Sequence, residues 1–317
     1  MTDWAALLIA PAPERPVAPG PLPTLSVLIP AYNAAGTIGE AVESALTQRP
    51  EPLELVVSDD GSEDELAGVL AGFGARVQVV RGPNRGLATA RNRAAAAAHG
   101  ELLGLLDADD VWLPGRAAAL TEAAASRPDL SIVTTDALIV RNGRAEAGTY
   151  YTARTFEIGD QAAAVLRSNF VFGAGAVRAQ ALANVGGYDP LARWAEDWDL
   201  WLRLLLRGHR AGLVQAPLYE YRRHGSSLTS HKVDLAVGVL AALERARPLA
   251  SGPDLLAMLD ATERRWRCKA ARASVLGADP RRRRLTWAAA RLGAQPPRAR
   301  FRLAASCLLP DRWVVGR

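Results

Sequence analysis

The 317-residue chain is poor in several residue types that would define a function class: it has two cysteines, four histidines and two lysines. Cys268 and Cys307 are too few for a disulfide framework or a cysteine-based zinc site, and they read as free thiols in a reducing compartment. No uninterrupted apolar run approaches the ~20 residues needed to cross a bilayer. The apolar patch from Trp4 to Ala10 lacks a basic leader and is too short for a secretory signal, so secretion is not expected. No GxGxxG follows the first predicted strand and no GxxxxGK[ST] occurs anywhere, so neither phosphate cradle applies. No internal repeat is visible. What remains is a cytoplasmic protein, soluble or peripheral to a membrane, long enough for one large domain with an appendage.

Apolar residues make up 49% and charged residues 22%, an ordinary globular balance. The net charge of +5 conceals an asymmetry. From Ala261 to Arg317 fifteen Arg or Lys face only Glu263, Asp279 and Asp311, a net of +12 that leaves −7 for the first 260 residues. An acidic body with a basic tail is the result.

Prolines 11, 13, 16, 19, 21 and 23 exclude helix over residues 11–23 and predict an extended stretch feeding the first strand, within a Pro-rich leader at 1–23. Leu25 to Ile29 is a buried-strand pattern stopped by Pro30, followed by the turn Tyr32-Asn33-Ala34-Ala35-Gly36. Thr37 and Glu40 have the spacing of a capping box for a helix running to about Gln48. Strands are predicted at 53–58, 77–80 and 102–106, with helices at about 63–70 and 87–99 between them. Near-continuously apolar strands alternating with helices predict a doubly wound, mainly parallel α/β sheet with helices on both faces. Trp112-Leu113-Pro114 opens a further helix, 130–135 is a strand, and Asn142-Gly143 signals a hairpin. An amphipathic helix starts at Glu196, and a last strand spans 214–221. Beyond about Lys232 the pattern is helical and increasingly rich in Arg.

The polar punctuation follows the strands: Tyr32-Asn33, Asp59-Asp60-Gly61-Ser62 and Asp107-Ala108-Asp109-Asp110. Ligands of open α/β sheets bind outside the carboxyl ends of the strands. Three carboxylates within four residues repel one another and suit a hard divalent cation completed by phosphate oxygens. The same residues equally fit a polar turn in which Asp, here Asp110, begins the next helix. Glu196 and Asp197, taken alone, are acids that complement a helix dipole. Trp194, Trp198 and Trp201 read as packing residues of that region.

Ser26-Val27-Leu28-Ile29-Pro30-Ala31-Tyr32-Asn33, Asp59-Asp60-Gly61-Ser62, Asn84-Arg85-Gly86 with Ala90-Arg91-Asn92, Asp107-Ala108-Asp109-Asp110, and Glu196-Asp197 with Leu200-Trp201 occur in one order and spacing. Together they resemble a family 2 glycosyltransferase of the GT-A fold, over about residues 24–230. The resemblance implies an inverting, metal-dependent transfer from a nucleoside-diphosphate sugar to an acceptor hydroxyl by single displacement. Carried over by position, Pro30, Tyr32 and Asn33 border the nucleotide and Asp60 accepts a hydrogen bond from its base, with Asp59 acting there or supporting the turn. Arg85 and Arg91 fall in the segment that meets nucleotide or sugar. Asp107 lies near the ribose or sugar, Asp109 ligates Mg²⁺ or Mn²⁺, and His224 matches a position that reaches the diphosphate or metal. Asp197 is the expected catalytic base, with Glu196 its neighbour. The chemistry fits these types: a cation stabilises the leaving diphosphate, and one carboxylate takes the attacking hydroxyl's proton.

The expected organisation is a leader at 1–23, a GT-A domain at 24–230 and a helical, Arg-rich region at 231–317. In that last region Arg281 to Arg284, Trp287, Phe301 and Arg302 suit an anionic membrane surface on the inner face of the cell membrane, or an appendage that pairs with the acidic body. Acceptors of such enzymes are glycans, lipid-linked or small molecules. Nucleic acid is not an expected partner, because no binding module accompanies the charge. A nucleotidyltransferase-like enzyme and an inactive nucleotide-sugar-binding scaffold are the alternatives. The Glu196-Asp197 helix start argues against the first, and intact Asp107, Asp109 and Asp197 against the second.

Overall fold

The structure is a computed structural model that describes residues 2–223 and 232–276. The chain divides into two compact units, residues 1–224 and 225–317. The first unit opens with β1 (Leu8–Ile9), β2 (Leu25–Ala31), α1 (Ile38–Leu46), β3 (Glu54–Asp59), α2 (Leu66–Ala71), β4 (Gln78–Arg81), α3 (Leu87–Ala97) and β5 (Leu102–Leu105). It continues through β6 (Val111–Trp112), α4 (Arg116–Ser126), β7 (Ile132–Arg141), β8 (Arg144–Thr149), α5 (Gln161–Arg167) and β9 (Ala176–Arg178). It closes with α6 (Ala179–Asn184), α7 (Glu196–Leu205) and β10 (Ala211–Arg223).

One sheet carries all ten strands of the described residues, in the order β1-β10-β7-β9-β5-β2-β3-β4, with β6 against β10 and β8 against β7. β2 runs parallel to β3 and β5, β3 to β4, and β10 to β7. Because short β9 is antiparallel to both β5 and β7, all six strands β2, β3, β4, β5, β7 and β10 point the same way. This is the mainly parallel α/β sheet that the alternation predicted. Both faces of β2 and β3 are buried, as a parallel sheet requires. Val27, Ile29, Leu55 and Val57 pack with Ile38, Val42 and Leu120, from α1 and α4, in the main core. Leu28 and Val56 point the other way and are fully buried on the face of α3, where Ala88 and Ala94 lie. β2 sits between β3 and β5, so its carboxyl end is the point where strand order reverses and a crevice opens.

The hairpin signal holds: Asn142 (φ 51°) and Gly143 (φ 74°) join β7 to β8, both in the left-handed region that such a turn demands. Three local expectations do not hold, and one is the helix expected to open at Trp112-Leu113-Pro114, since Trp112 lies in β6 and α4 starts at Arg116. Neither half of the capping box forms: Thr37 Oγ1 donates to the Ala34 carbonyl at 3.4 Å, and Glu40 is engaged by Arg222, whose two terminal nitrogens reach its carboxylate oxygens at 2.6 and 2.7 Å. A bidentate, charge-assisted pair outweighs a single capping bond. Asp110 begins no helix: β6 follows it, pairing Val111 and Trp112 with Glu220 and Tyr219 of β10, and α4 starts only at Arg116. The stretch before β2 is tied to the sheet, with Leu8–Ile9 paired to β10 and the carbonyls of Pro11 and Ala12 accepting from Arg127 and Arg210.

In the second unit the described residues form α8 (Lys232–Ala246) and α9 (Pro253–Leu276), which pack on each other. Arg247 joins them to Asp260 at 2.7 Å and Glu263 at 2.9 Å. His224, Cys307 and the basic segment 281–317 lie outside the described residues. Among the described residues no helix is long and apolar enough to cross a membrane.

Candidate active site

Strands β2, β3 and β5 deliver their polar ends side by side. After β2, Asn33 adopts φ 49°, its N–H donates to Ser62 Oγ at 2.9 Å, and its Oδ1 accepts from Glu63 N–H at 2.9 Å. After β3, Asp59 Oδ1 accepts from Ser62 N–H at 2.8 Å and Oδ2 pairs with Arg81 at 3.1 Å. Asp60 is 3% exposed and accepts from Arg85 N–H and Gly86 N–H, the latter at 2.7 Å, while Arg93 approaches at 3.3 Å. Pro30 is buried within β2, whereas Tyr32 is 48% exposed and Arg85 is exposed. An open aromatic and an open cation therefore flank a rigid, hydrogen-bonded acid turn.

Helix α3 explains why the Asn84 to Arg93 stretch is so polar for an Ala-rich helix. The N–H groups of Arg85 and Gly86, just before it, hold Asp60, and Arg93 within it binds Ser58 Oγ and the Asp59 carbonyl, both at 3.2 Å. Asn92 clamps the backbone of Tyr188 twice, donating to its carbonyl at 2.7 Å and accepting from its N–H at 2.8 Å. Arg91 points into the protein rather than to its surface. It is 2% exposed and donates from Nη2 to Asp107 Oδ1 at 2.9 Å and from Nη1 to Glu196 Oε1 at 2.8 Å. The Tyr188 ring lies 5.4 Å from its Cζ, a cation–π contact on the remaining side. Burial alone would lower the Arg91 pKa, but Asp107 and Glu196 outweigh it and raise it. The guanidinium thus joins the acids after β5 to the start of α7.

The three acids after β5 play different parts. Asp110 is 2% exposed, accepts from Tyr219 Oη at 2.7 Å and from Arg222 N–H at 2.7 Å, and fastens the loop to β10. Burial, together with the charges of Asp107 and Asp109, pushes its carboxyl well above the usual range. Behind it, fully buried Arg116 stacks on Tyr219 at 4.6 Å and Trp112 at 5.2 Å and donates to Thr135 Oγ1 and the Ala174 carbonyl. Asp107 and Asp109 are only half-buried, with 33% of the Asp107 side chain exposed. Among the described residues no three His, Cys, Asp or Glu side chains group as an all-protein metal cage. Two part-exposed carboxylates fit a hard divalent ion that takes its other ligands from water and a diphosphate.

At the start of α7, Glu196 is buried and Asp197 half-buried. Burial raises Glu196, Arg91 opposing, to about 7. Burial likewise raises Asp197, against Arg91 and two hydrogen bonds that favour its ionised form. Those bonds come from Asn169 Nδ2 to Oδ2 at 2.8 Å and from Trp198 N–H to Oδ1 at 2.7 Å. Trp198 and Trp201 are core residues, 4% and 0% exposed. The structure therefore brings Arg91, Asp107, Glu196 and Asp197 into one cluster and Asn33, Asp59, Asp60 and Arg85 into a second, with α3 feeding both. Sequence reasoning did not single out Arg93, Asn169, Tyr188 or Tyr219. Arg93 directly follows the Ala90-Arg91-Asn92 motif, whereas Asn169 lies beside an irregular, Gly-interrupted stretch with no signal.

The family model for glycosyl transferase family 2 matches residues 26–186. The succinoglycan biosynthesis protein ExoU of Rhizobium meliloti (strain 1021) is 33% identical over 261 residues, spanning 75% of this chain and 73% of that protein. The putative glycosyltransferase EpsE of Bacillus subtilis (strain 168) is 26% identical over 236 residues, 71% of this chain and 84% of its own. Among solved structures, S. aureus TarS 1-349 in complex with UDP-GlcNAc superposes with a TM-score of 0.64 at 19% identity, covering 92% of this chain and 90% of that one. The mannosyltransferase PcManGT of Pyrobaculum calidifontis, in complex with GDP-Man and Mn²⁺, gives 0.59 at 21% identity over 95% and 87%. Motifs, fold and sequence similarity converge: the chain belongs to glycosyl transferase family 2 and is a glycosyltransferase.

Proposed function

We propose that this enzyme transfers a sugar from a nucleoside-diphosphate sugar to a hydroxyl of a growing polysaccharide or lipid-linked glycan, with inversion, using Asp197 as general base. The observation that carries this reading is the buried Arg91, which joins Asp107 of the acid loop to Glu196, the residue beside Asp197. One cation thereby couples the half of the site suited to a diphosphate to the half suited to a base. Tyr32, Pro30, Asn33 and Arg85 border the nucleotide in this reading, and Asp60, braced by Asp59's turn, offers its carboxylate edge to the base. Asp109, with Asp107, would hold Mg²⁺ or Mn²⁺, whose charge would stabilise the departing diphosphate. Asp197 takes the acceptor hydroxyl's proton as its oxygen attacks the anomeric carbon, and the bond to the diphosphate breaks on the opposite face. Its raised pKa suits that task, since a base works best with a pKa near the operating pH.

The complexes of TarS with UDP-GlcNAc and of PcManGT with GDP-Man and Mn²⁺ support the donor class and the metal. The name of ExoU, a succinoglycan biosynthesis protein, supports a polysaccharide acceptor. Residues 24–230 form the catalytic domain in this reading, preceded by the leader at 1–23 and followed at 231–317 by an appendage that includes the basic 281–317 segment; His224 would join Asp109 toward the metal. That segment would hold the cytoplasmic enzyme at an anionic membrane; equal co-sedimentation of full-length and 281–317-deleted protein with anionic vesicles would refute it. The central experiment is a panel of UDP-, GDP- and dTDP-sugars assayed for transfer and hydrolysis with Mg²⁺ and Mn²⁺. At least one donor should turn over only with metal; turnover equal in EDTA removes the metal, and an inverted product anomer is required by single displacement.

A further inference from the structure

We propose that Asn169 is a positioning residue for Asp197, holding the carboxylate in the one orientation from which it can take the acceptor's proton. The inference rests on Asp197 being the base. Asn169 Nδ2 donates to Asp197 Oδ2 at 2.8 Å, while Trp198 N–H holds Oδ1 at 2.7 Å, so each oxygen is fixed by a separate donor. The other end of the same amide, Asn169 Oδ1, is buried and has no hydrogen-bond partner. A buried orphan carbonyl is costly and calls for a reason. Turning the amide over would set that carbonyl against a carboxylate, so the orphan is the consequence of aiming the NH₂ at Asp197.

A second observation comes from the same segment, between α5 and β9. A Cβ on Gly173 would lie 2.7 Å from Asp197 Oδ2. Between Asn169 and Gly173 the backbone is pinned by Tyr151, whose Oη donates to the Phe170 carbonyl at 3.0 Å and accepts from Phe172 N–H at 2.9 Å. Tyr151 is itself anchored by its N–H to Asp136 Oδ1 at 3.1 Å. Asn169 and Gly173 thus form a rigid two-point rest for one carboxylate oxygen, the kind of support a reacting group requires.

The titratable and charged groups that act on Asp197 are Arg91 of α3, Asp107 after β5, Glu196 beside it, Tyr188 before α7 and Tyr150 after β8. Asn169 differs from the charged groups among them: it is neutral, and its hydrogen bond favours the ionised carboxylate without a full positive charge that would take away the basicity of Asp197. That is a reason for an amide rather than a lysine or arginine at this position.

The test uses full-length protein, the UDP- and GDP-sugar panel with Mn²⁺, water as the acceptor, and UDP and GDP as binding probes. Asn169→Asp keeps the shape and replaces the donor by an oxygen. It should lower kcat at least ~10-fold at pH 7 and move the acid limb of the kcat profile upward by about one pH unit or more. KM for the donor and the affinity for UDP or GDP should stay as in the parent. Asn169→Ala should lower kcat with the same unchanged KM. Gly173→Ala, which leaves Asn169 in place and pushes Oδ2 aside, should give the same split and decides the matter if the Asn169 variants fold poorly. Parental kcat and acid limb in these variants, in an enzyme that Asp197→Asn inactivates, overturns the role of Asn169 alone. Full turnover in Asp197→Asn overturns the base assignment, and this inference with it.

Discussion

Arg91 Nη1 donates to Glu196 Oε1 across 2.8 Å, although 105 residues separate the two in sequence. Its other terminal nitrogen serves Asp107 at 2.9 Å, so one planar fork satisfies two carboxylates. A lysine offers a point charge in place of that fork. Arg91→Lys is therefore expected to lower unfolding free energy by about 2–3 kcal/mol and kcat/KM at least ~10-fold. A double-mutant cycle of Arg91→Met and Glu196→Gln, read by urea denaturation, should show coupling of about 1–3 kcal/mol. Simple additivity would mean that the pair contributes nothing as a pair.

Asp109 and Asp107 should separate experimentally. Asp109 is half-buried on the acid loop, whereas Asp107 also neutralises Arg91. Asp109→Asn should abolish the Mn²⁺-dependent part of UDP or GDP binding, a loss of at least ~10-fold, and leave the melting temperature within a few degrees of the parent. Asp107→Asn should weaken binding and also lower the melting temperature, because it withdraws one of two counter-charges from a buried guanidinium. Calorimetric titration with and without Mn²⁺, beside thermal melts, checks both. Identical phenotypes would contradict this division of labour.

What the sequence made visible was whatever a short window contains. Asp59-Asp60 and Asp107 to Asp110 each end an apolar run, so their place at strand ends followed from pattern, and the Asn142-Gly143 turn followed from the φ it needs. What stayed hidden depended on partners far along the chain. Glu40 looked like half of a capping box because Arg222, 182 residues on, is out of view. Asp110 looked like a helix start because Tyr219 and the Arg222 N–H arrive from β10. The pairing of Arg91 with Asp107 and Glu196 could not be read from its motif, because burial is a property of the fold. Two-residue strands such as β1 and β6 have too little length to show any period.

Glu196 gives a pH dependence whose sign follows from its raised pKa. Its carboxyl is displaced from 4.5 to about 7, chiefly by burial. The folded state therefore binds more protons than the unfolded state between those values, and stability falls as pH rises through that window. The full shift corresponds to up to about 3 kcal/mol. Glu196→Gln carries the neutral form at every pH, so the stability gained by the parent between pH 8 and pH 5 should shrink in the variant. Denaturation midpoints across pH 5–8 test this; parallel curves for the two proteins would show that Glu196 titrates normally.

Gly61 sets the shape of the turn that carries Asp60, and a comparison with Gly74 separates two effects of adding a methyl group. Both have positive φ, 79° and 58°, so alanine is strained at either. At Gly74 an added Cβ meets nothing within 4 Å. At Gly61 it would stand 2.8 Å from Asn84 N and 3.2 Å from the Gly82 carbonyl, backbone atoms that have no free end to swing aside. Gly74→Ala should therefore cost about 1 kcal/mol of stability and leave nucleotide affinity unchanged. Gly61→Ala must also push apart the Asp60 turn and the Asn84-Arg85-Gly86 loop, whose N–H groups hold the Asp60 carboxylate. It should cost about 2–4 kcal/mol and weaken UDP or GDP binding at least ~10-fold. Binding as tight as the parent's in a folded Gly61→Ala protein would show that the Asp60 turn does not shape the nucleotide pocket.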